Sequence, residues 1–556
     1  MYGLTVSQIV PPLCVWLKRD LRVVDHAALS AAIERAQGGD VFCVFVYEPE
    51  IFCQPEIHSR HLTFQRECLI DLEKSLQQLR IRLITRQGDA VTVLEQLRRE
   101  TGFSKLFAHE ETGTAISYAR DQRVRHWAQT VGVQFKEFSQ NGVVRRLNSR
   151  DGWNRHWESK MNQPQTVVHP LPRHCVNKTV VQLPSVGLLQ PIDLGYEKKQ
   201  MDCQPGGEHN AGMILQDFVD HRGQFYSGRI SSPVTAPNSC SRLSAHLAFG
   251  AISIRRVWQA TEQKRSEVRG LAMTETNQAA RKQFQRWQKS IQSMQSRLHW
   301  HCHFMQKLED EPEIEHRNMW SAADGLREKE FSNEYFQAWK YGRTGYPLVD
   351  ACMRSLDVSG WLPFRMRALV VSFASYSLWL HWRPTGLHLA TCFLDFEPGI
   401  HWSQMQMQSG TTGINTLRIY NPTKQAKEQD PQGHFIRKWL PELMSVPDVF
   451  IHTPWMMPAH IQQSSGCEIG SVYPKPIVDH ALALRQAKSR FTVLRQNKKA
   501  RDAASAVAVR HGSRRDRRGA MRQDPERKRF RRKEPVDQQS ETIRTEEQTV
   551  LPFIYE

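Results

Sequence analysis

Short apolar runs alternate with amphipathic stretches through the first 140 residues, and this alternation is the strongest constraint on the fold. The stretches between the runs have helical periodicity: His26–Arg35, His61–Leu79, Ala90–Glu100 and Ala115–Thr130. Strands joined through helices lie parallel in one sheet, so the pattern predicts an open α/β domain over residues 10–142. No Gly-x-Gly-x-x-Gly motif follows the first run, which argues against a standard dinucleotide site. The predicted strands are Leu13–Leu17, Val41–Tyr47, Ile81–Thr85, Lys105–Ala108 and Val133–Phe138.

The pattern changes after this domain. Residues 143–210 are rich in Pro, Gln, Gly and His without sustained periodicity, so we predict an interdomain linker. Residues 211–480 have helical periodicity with frequent Trp and Met, which predicts an all-α domain. Ala481–Arg501 also has a helical pattern, and we expect the rest of residues 481–556 to be a disordered basic tail. A chain of 556 residues is long enough for two such domains.

Most of the excess positive charge lies near the C-terminus. The formal net charge of the chain is +18, and residues 485–533 contain 19 Lys and Arg against 4 Asp and Glu. Basic segments attract the phosphates of nucleic acids, largely without reading their sequence. A solubilising appendage explains the same run equally well, so both interpretations stay open.

The sequence shows no pattern typical of membrane or secreted proteins. The best apolar candidate, Ala368–Leu380, is shorter and more polar than the roughly 18–20 residues that cross a bilayer. The N-terminus lacks a basic region and a cleavage site, so we expect a cytoplasmic or nucleoid-associated protein without a signal peptide. The 11 Cys form no Cys-x-x-Cys motif, which favours a reducing compartment and no metal site. Adjacent side chains in His301–His303 point apart on a helix, so we do not expect this His-Cys-His segment to bind a metal.

Three segments of the predicted helical domain carry unusual polar residues. Small hydroxyl residues and one Arg, from Ser239 to Ser244, precede a predicted helix and favour an anion site, although an ordinary N-cap also explains Ser244. Arg365 and Arg367 begin an otherwise apolar predicted helix, Ala368–Leu380. A buried Arg needs an acidic partner. Asp395 can supply that partner, although a purely structural ion pair is an equally simple interpretation.

Several motifs in a fixed order resemble the DNA photolyase/cryptochrome superfamily over about residues 13–452. Trp16–Asp25 resembles the opening strand and turn of that family. Cys240–Ser244 resembles its flavin phosphate loop, with Cys in place of Thr. Thr344–Leu356 resembles the family signature, and Arg418–Pro422 and Phe435–Leu443 resemble its C-terminal motifs. The number and order of these matches make a chance likeness untenable.

The resemblance implies an α/β antenna domain followed by an all-α domain that binds FAD. Arg367 and Asp395 would form an ion pair over the isoalloxazine ring. Glu397 would lie near the polar edge of that ring, and His401 would face its N5 atom. The implied flavin-binding set is Tyr226, Cys240, Ser241, Arg242, Leu243, Ser244, Arg297, His301, Phe304, Phe364, Arg367, Asp395, Glu397 and His401.

The resemblance also implies a DNA partner that carries UV-damaged, flipped pyrimidines, bound by a monomer. Trp300 matches the residue that stacks on the flipped lesion, and a core Trp is the alternative interpretation. Arg365 would contact the DNA. A Trp face suits an extruded base, because each stacked base contributes ~1–3 kcal/mol.

Departures from the family pattern fall on functional positions. Family members that repair cyclobutane dimers have Glu at the position of Arg297, Asn at the position of Phe364 and Asn at the position of His401. Losing those hydrogen bonds should weaken dimer binding and radical-anion stabilisation. A His beside the flavin favours proton transfer, which would suit the (6-4) lesion.

The tryptophans that would photoreduce the flavin are also altered. In the family, a triad of tryptophans photoreduces the flavin. Here Met405 occupies the triad position nearest the flavin, and Trp382 occupies the middle position. Tyr376, Trp379 and Trp382 recur every three residues, so on one helix they would share a side. With Trp402 nearby, they would form an alternative electron-hopping chain to the flavin. Aromatic core packing is an equally good interpretation. The expected catalytic set is therefore His401, Trp300, Trp382 and Trp379.

The sequence leaves two main hypotheses for the function of the protein and a third, weaker one. The first is FAD-dependent, blue-light-driven repair of pyrimidine dimers of either lesion type, and the second is a cryptochrome-like photoreceptor with little repair. The third is a nucleic-acid-binding flavoprotein whose light chemistry is incidental. His109–Gly113 ends a predicted strand, where an open α/β sheet binds ligands, so a folate, deazaflavin or lumazine antenna fits there, as does no antenna. The cysteines lack a close pair, so we predict no iron–sulfur cluster.

Overall fold

The N-terminal domain is a five-stranded parallel sheet, as predicted. The computed structural model describes residues 11–36, 39–172, 178–197 and 201–512. The strand order is β3-β2-β1-β4-β5, and Leu13 of β1 lies opposite Val41 of β2. Every residue of β1 and β2 is buried, which is typical of central parallel strands with helices on both faces. The strands are β1 (Leu13–Leu17), β2 (Val41–Tyr47), β3 (Arg82–Gln87), β4 (Lys105–His109) and β5 (Gln134–Phe138).

Five helices flank this sheet, and their ends follow local capping chemistry. Asp89 accepts the backbone N–H of Thr92 at the start of the fourth helix, and Gly102 ends that helix in the left-handed conformation. Prediction and structure agree at both ends of Ala115–Thr130. The helices are α1 (Ala27–Arg35), α2 (Pro49–Phe52), α3 (Ser59–Gln78), α4 (Ala90–Thr101) and α5 (Ala115–Thr130).

The remainder of the described chain is helical, as predicted. Its largest core lies around the helix Pro347–Ser359 and includes Trp339, Met366, Trp382 and Trp402. The helices before residue 340 are α6 (Trp153–Asn162), α7 (Lys178–Gln182), α8 (Glu208–Asp220), α9 (Tyr226–Arg229), α10 (Ser244–Ala248), α11 (Ile254–Thr274), α12 (Gln278–Asp310) and α13 (Asn333–Lys340). Those that follow are α14 (Pro347–Ser359), α15 (Phe364–Ser372), α16 (Trp382–Cys392), α17 (Pro398–Ser409), α18 (Pro422–Gln429), α19 (His434–Trp439), α20 (Ala459–Ser465), α21 (His480–Gln496) and α22 (Lys498–His511).

The predicted linker contains a packed helix. In α6, Trp153, Trp157 and Met161 are buried at a spacing of four residues, and the Trp157 ring contacts Trp258 of α11 edge-on. The expectation that residues 143–210 lack sustained periodicity is therefore wrong for this segment, and the assignment of an interdomain linker stays a prediction. The helical periodicity of α6 is hard to detect in the sequence, because only three of its ten residues are large and apolar.

The predicted helix over Ala368–Leu380 is interrupted. After α15 the chain forms one π-helical turn, Phe373–Ser377, in which Leu378 N–H donates to the Phe373 carbonyl. Trp379 then adopts a left-handed backbone conformation at φ 54°. A new helix begins at Trp382, so the expectation that Tyr376, Trp379 and Trp382 share one face of one helix is wrong.

The expected basic tail begins as two packed helices. In α21, Ala487 and Phe491 are buried, and the Phe491 ring lies against Tyr376 and Trp379. In α22, the Ala500 carbonyl accepts the indole N–H of Trp320 at 2.8 Å. Residues 481–512 are thus part of the helical body, because they bury an apolar face on it. The rest of the predicted tail, residues 513–556, lies outside the described residues.

No described helix is both long and apolar enough to pass through a membrane.

Candidate functional site

A partly buried ion pair lies at the centre of the candidate site. The Arg367 guanidinium donates two hydrogen bonds to the Asp395 carboxylate, at 2.9 and 2.8 Å, and a third to the Leu362 carbonyl. Its plane lies 4.1 Å from the Phe393 ring centre. Burial would raise the pKa of Asp395, but Arg367, Ser244 and Arg242 together lower it below its usual value. The carboxylate therefore stays ionised, and the predicted pairing is present.

The loop Cys240–Ser244 approaches the same carboxylate. Leu243 is fully buried and anchors the loop, and Ser244 hydrogen-bonds to Asp395. Arg242 has a left-handed backbone at φ 61°, and its guanidinium stacks 4.0 Å from the ring centre of Trp361. The following helix, α10, is only five residues long, so its dipole contributes little. Side-chain cations must supply the attraction for an anion instead.

Four guanidinium groups converge on this loop. Burial raises the pKa of the Cys240 thiol to about 11, although the charges of Arg242, Arg222, Arg367 and Arg297 oppose the shift. Burial likewise lowers the pKa of Arg242 to about 10, and neighbouring Arg367 and Arg222 add to that shift. Asp217 pairs with Arg222 and Asp395 pairs with Arg367, and a bound anion would balance the positive charge that remains. Arg222, which donates to the Cys240 carbonyl, was missed in the sequence because no motif marks it.

Helix α12 forms the second wall of the site. Arg297 hydrogen-bonds to Tyr226 and lies 5.3 Å from the ring centre of Phe364. Trp300 is partly buried, and its ring contacts His303 and Phe304 at centroid distances of 4.9 and 5.8 Å. Two residues of unusual type thus stand side by side: a cation on a Phe face, and a Trp one turn farther along.

The two domains meet at the edge of this site. Arg19, at the end of β1, donates to the Ala248 and Phe396 carbonyls and lies 3.7 Å from Glu397. Burial raises the pKa of Glu397 to about 7, because Arg19 only partly offsets the loss of water. His301, predicted to bind flavin, lines a neighbouring cavity together with Arg19 and Glu397, and burial lowers its pKa to about 4.

The backbones of the two domains are also in contact. Gly250 has a left-handed backbone at φ 65°, and a Cβ atom there would lie 2.1 Å from the Arg19 carbonyl oxygen. Arg22 donates to the Gly250 carbonyl at 2.9 Å. From α3, the buried Arg60 donates to the carbonyls of Leu356, Asp357 and Cys392. Arg19 and Arg60 were not identified as interdomain contacts because their partners are backbone carbonyls far along the chain.

His401 is neutral in this environment. Burial lowers its pKa to about 4, and its Nε2–H donates to the Gly386 carbonyl at 2.9 Å. In the neutral ring Nδ1 is then an acceptor without a proton. The interpretation of His401 as a proton donor near neutral pH therefore loses its physical basis, while its position beside Phe396 and Trp402 is well defined.

The predicted tryptophans form two separate groups. Trp382 contacts Trp402 at a centroid distance of 6.0 Å, and its indole N–H donates to Asn318. Trp379 instead lies between two cations, with Arg327 at 4.5 Å and Arg490 at 4.6 Å from its ring. Positive charge opposes the formation of a cation radical on an indole, so Trp379 is a poorer electron donor than Trp382.

A larger cavity lies at the C-terminal edge of the sheet. It opens to solvent and is lined by Phe45, Phe52 and Leu62 together with charged residues. Among those, Arg120 bonds to Glu48 and Glu111, and burial raises the pKa of Glu48 to about 7. Glu111 belongs to the predicted His109–Gly113 ligand segment.

A buried Asp–His–His cluster adjoins this edge. Asp20 accepts from His109 Nδ1 at 2.8 Å, and His26 Nε2 lies 3.2 Å from the same carboxylate oxygen. His26 Nδ1 accepts the Leu29 N–H, so its Nε2 carries a proton, but this group lacks hydrogen-bond geometry to Asp20. One possible ligand atom of each of the three side chains lies within 4.8 Å of the others. The expected absence of a metal stays a prediction.

The arrangement fits FAD. The convergent guanidiniums and the hydroxyls of Ser241 and Ser244 suit a pyrophosphate, and the Arg367–Asp395 pair offers fixed polar groups to a flat ring system. All predicted flavin-binding residues lie on α9, α12, α15, the Cys240–Ser244 loop or the segment Asp395–His401. Arg365 bonds to Gln425 at 3.3 Å, beside this region.

Comparisons with known proteins agree with this geometry. A family model described as DNA photolyase matches residues 13–161, and one described as the FAD binding domain of DNA photolyase matches residues 294–493. Cryptochrome-1 of Arabidopsis thaliana is 30% identical over 520 residues, covering 90% of this chain and 72% of that protein. Deoxyribodipyrimidine photo-lyase of Agrobacterium fabrum is 29% identical over 501 residues, covering 87% of this chain and 98% of that protein. The structure of a bacterial class III photolyase from Agrobacterium tumefaciens superposes with a TM-score of 0.71 at 26% identity, covering 89% of this chain and 100% of that one.

The substitution Glu397→Gln should remove a pH dependence of stability. The Glu397 carboxyl has a pKa of about 7 in the folded protein against 4.5 ordinarily, so its stabilising contribution is complete below pH 4.5 and is lost as the pH rises through 7. We expect equal stability of wild type and variant near pH 4, and a variant more stable by up to about 3 kcal/mol near pH 8. Urea denaturation at both pH values measures this, with the exposed Glu313→Gln as control. Parallel pH profiles of wild type and Glu397→Gln would contradict the assignment.

Proposed function

The chain belongs to the DNA photolyase/cryptochrome superfamily, and from that premise we propose that it is an FAD-dependent, blue-light-driven photolyase that repairs UV-induced pyrimidine dimers in DNA. Bound FAD would supply light absorption and one-electron transfer. The observation that carries the proposal is Trp300, a partly buried aromatic face on the wall of the flavin site, where a flipped base can stack.

The chain's own residues have distinct tasks in this proposal. Arg242, Ser241 and Ser244 hold the cofactor phosphates, and the Arg367–Asp395 pair fixes the ring system. The neutral His401 can accept a hydrogen bond at Nδ1, and Glu397, whose pKa is raised to about 7, can hold a proton. Water is excluded by the aromatic residues around His401.

A cryptochrome-like photoreceptor with little repair activity is the second candidate. The observation in its favour is Arg297, whose guanidinium lies over Phe364 beside the expected lesion pocket. A guanidinium only donates hydrogen bonds, so it cannot accept one from the N–H groups of a pyrimidine dimer as a Glu carboxylate can. The identity to Cryptochrome-1 of Arabidopsis thaliana is as high as that to the Agrobacterium fabrum enzyme.

We further propose a second chromophore in the cavity at the sheet edge. Its apolar walls suit a flat heteroaromatic ring, and Arg120, Glu48 and Glu111 can orient polar ring edges. A folate, a deazaflavin and a lumazine all meet this description. The proposed working form is a monomer in the cytoplasm or at the nucleoid.

Irradiation of defined lesions separates the two candidates. The reduced, FAD-loaded protein is mixed with DNA that carries one cyclobutane dimer or one (6-4) lesion, and restored bases are followed by chromatography. Repair of either lesion in blue light, and not in the dark, supports a photolyase. If neither lesion is restored while the flavin is bound and reducible, the photolyase proposal is wrong and the photoreceptor is favoured.

Trp300→Ala should remove the preference for damaged DNA. Loss of one stacked base costs ~1–3 kcal/mol, which corresponds to roughly 5- to 150-fold weaker binding of lesion-bearing duplex. Binding of the undamaged duplex and the flavin content should not change, and both serve as controls in the same titration. Equal affinity of wild type and variant for lesion-bearing DNA would mean that Trp300 is a core residue.

Flavin photoreduction should depend on Trp382 more than on Trp379. Trp382 is in contact with Trp402, whereas Trp379 is flanked by two guanidiniums that oppose its oxidation. We expect Trp382→Phe to slow photoreduction strongly and Trp379→Phe to slow it little, as measured by flash photolysis. Unchanged photoreduction in the Trp382→Phe/Trp379→Phe double variant would exclude both as carriers.

A further inference from the structure

Helices α11 and α12 form a two-helix arm. Lys264 of α11 pairs with Asp220, and Gln283 of α12 bonds to Gln224, so both helices contact the body up to these positions. Beyond them the chain continues to the turn Glu275–Asn277, where most residues are exposed. Val268 and Ala272 are buried within the arm. The arm is therefore a packed element with its own small core.

One face of α12 is basic from the arm to the candidate site. At 3.6 residues per turn, Lys282, Arg286 and Lys289 all point within about 40° of the direction of Trp300. Ser293 lies between them and Trp300 on the same face. The three basic residues are exposed, and we call them the basic stripe. The opposite face carries the buried residues Ile291, Met294, Leu298 and Cys302, which fixes the orientation of the helix.

The charge on this helix is of one sign. From Gln278 to Leu308 the sequence contains six Lys and Arg and no Asp or Glu. Within the part of the chain that the structure describes, no carboxylate pairs with Lys282, Arg286 or Lys289. On α11, by contrast, Arg265 is neutralised by Glu262. Ordinary solvated helices carry both signs, so a long one-signed face is suited to a polyanion.

The length of the stripe defines its partner. Lys282 lies 18 positions from Trp300, which is about 27 Å along a helix and spans about eight base pairs of duplex. We propose that the basic stripe binds the sugar–phosphate backbone of duplex DNA about five to eight base pairs away from the nucleotide that Trp300 contacts. This inference rests on the proposed function and extends it, because it adds a contact remote from the lesion.

The test compares two variants of equal charge. Lys282→Gln/Arg286→Gln removes two cations from the stripe. Arg269→Gln/Arg281→Gln removes two exposed cations from the same arm, of which Arg281 points about 100° away from Trp300. Binding of the full-length protein to a 30-base-pair duplex, undamaged or with a central cyclobutane dimer, is measured by fluorescence anisotropy as a function of salt.

For the stripe variant, the slope of the logarithm of the binding constant against the logarithm of the salt concentration should be shallower by about two. Its affinity deficit relative to wild type should therefore change by roughly ten-fold between 50 and 200 mM salt. The control variant should keep the wild-type slope. Equal slopes for wild type and stripe variant, with wild type binding DNA, overturn the stripe while leaving the proposed function intact. A wild type that binds neither duplex overturns the proposed function and the stripe together.

A second measurement excludes another polyanion. Vesicles with 30% anionic phospholipid present phosphates without a duplex, and they are titrated with the same variants. Binding of vesicles that depends on the stripe, without stripe-dependent binding of duplex, would assign this face to a lipid surface and overturn the proposal. Stripe-dependent binding of duplex alone supports it.

Discussion

The ion pair between Arg367 and Asp395 is the interaction on which the candidate site depends. It joins the start of α15 to the turn after α16, and Ser244 attaches the Cys240–Ser244 loop to the same carboxylate. A buried carboxylate that loses its partner costs several kcal/mol, so the three segments are held in one arrangement. Arg242 and Arg222 lie around this pair, and Asp217 balances the charge of Arg222.

The features that follow from local periodicity were predictable, whereas those that need tertiary partners were not. The five strands and the order of α/β elements followed from apolar runs, and the Arg367–Asp395 pair from motif resemblance. The interruption after Ser372 was not predictable, because a π-helical turn and the left-handed Trp379 depend on packing rather than on any local breaker residue. The same holds for Arg222 and Arg19, whose partners are carbonyls distant in sequence.

The departures from the family pattern change the electrostatic character of the lesion side. Arg297 adds a cation at the wall that Trp300 shares, and the basic stripe continues that sign along α12. His401, which the family resemblance places at the flavin, contributes no charge, because burial keeps its ring neutral. The site therefore combines a neutral aromatic centre with a cationic margin, a combination suited to a base held within a phosphate backbone.

The close approach of Gly250 to the Arg19 carbonyl bears on how the molecule unfolds. Any side chain at residue 250 would push the strand-end loop away from α11, and with it the guanidinium that reaches Phe396 and Ala248. Each domain thus supplies hydrogen-bond partners that the other needs at their interface. Because the two domains share this boundary, we expect their unfolding to be coupled rather than independent.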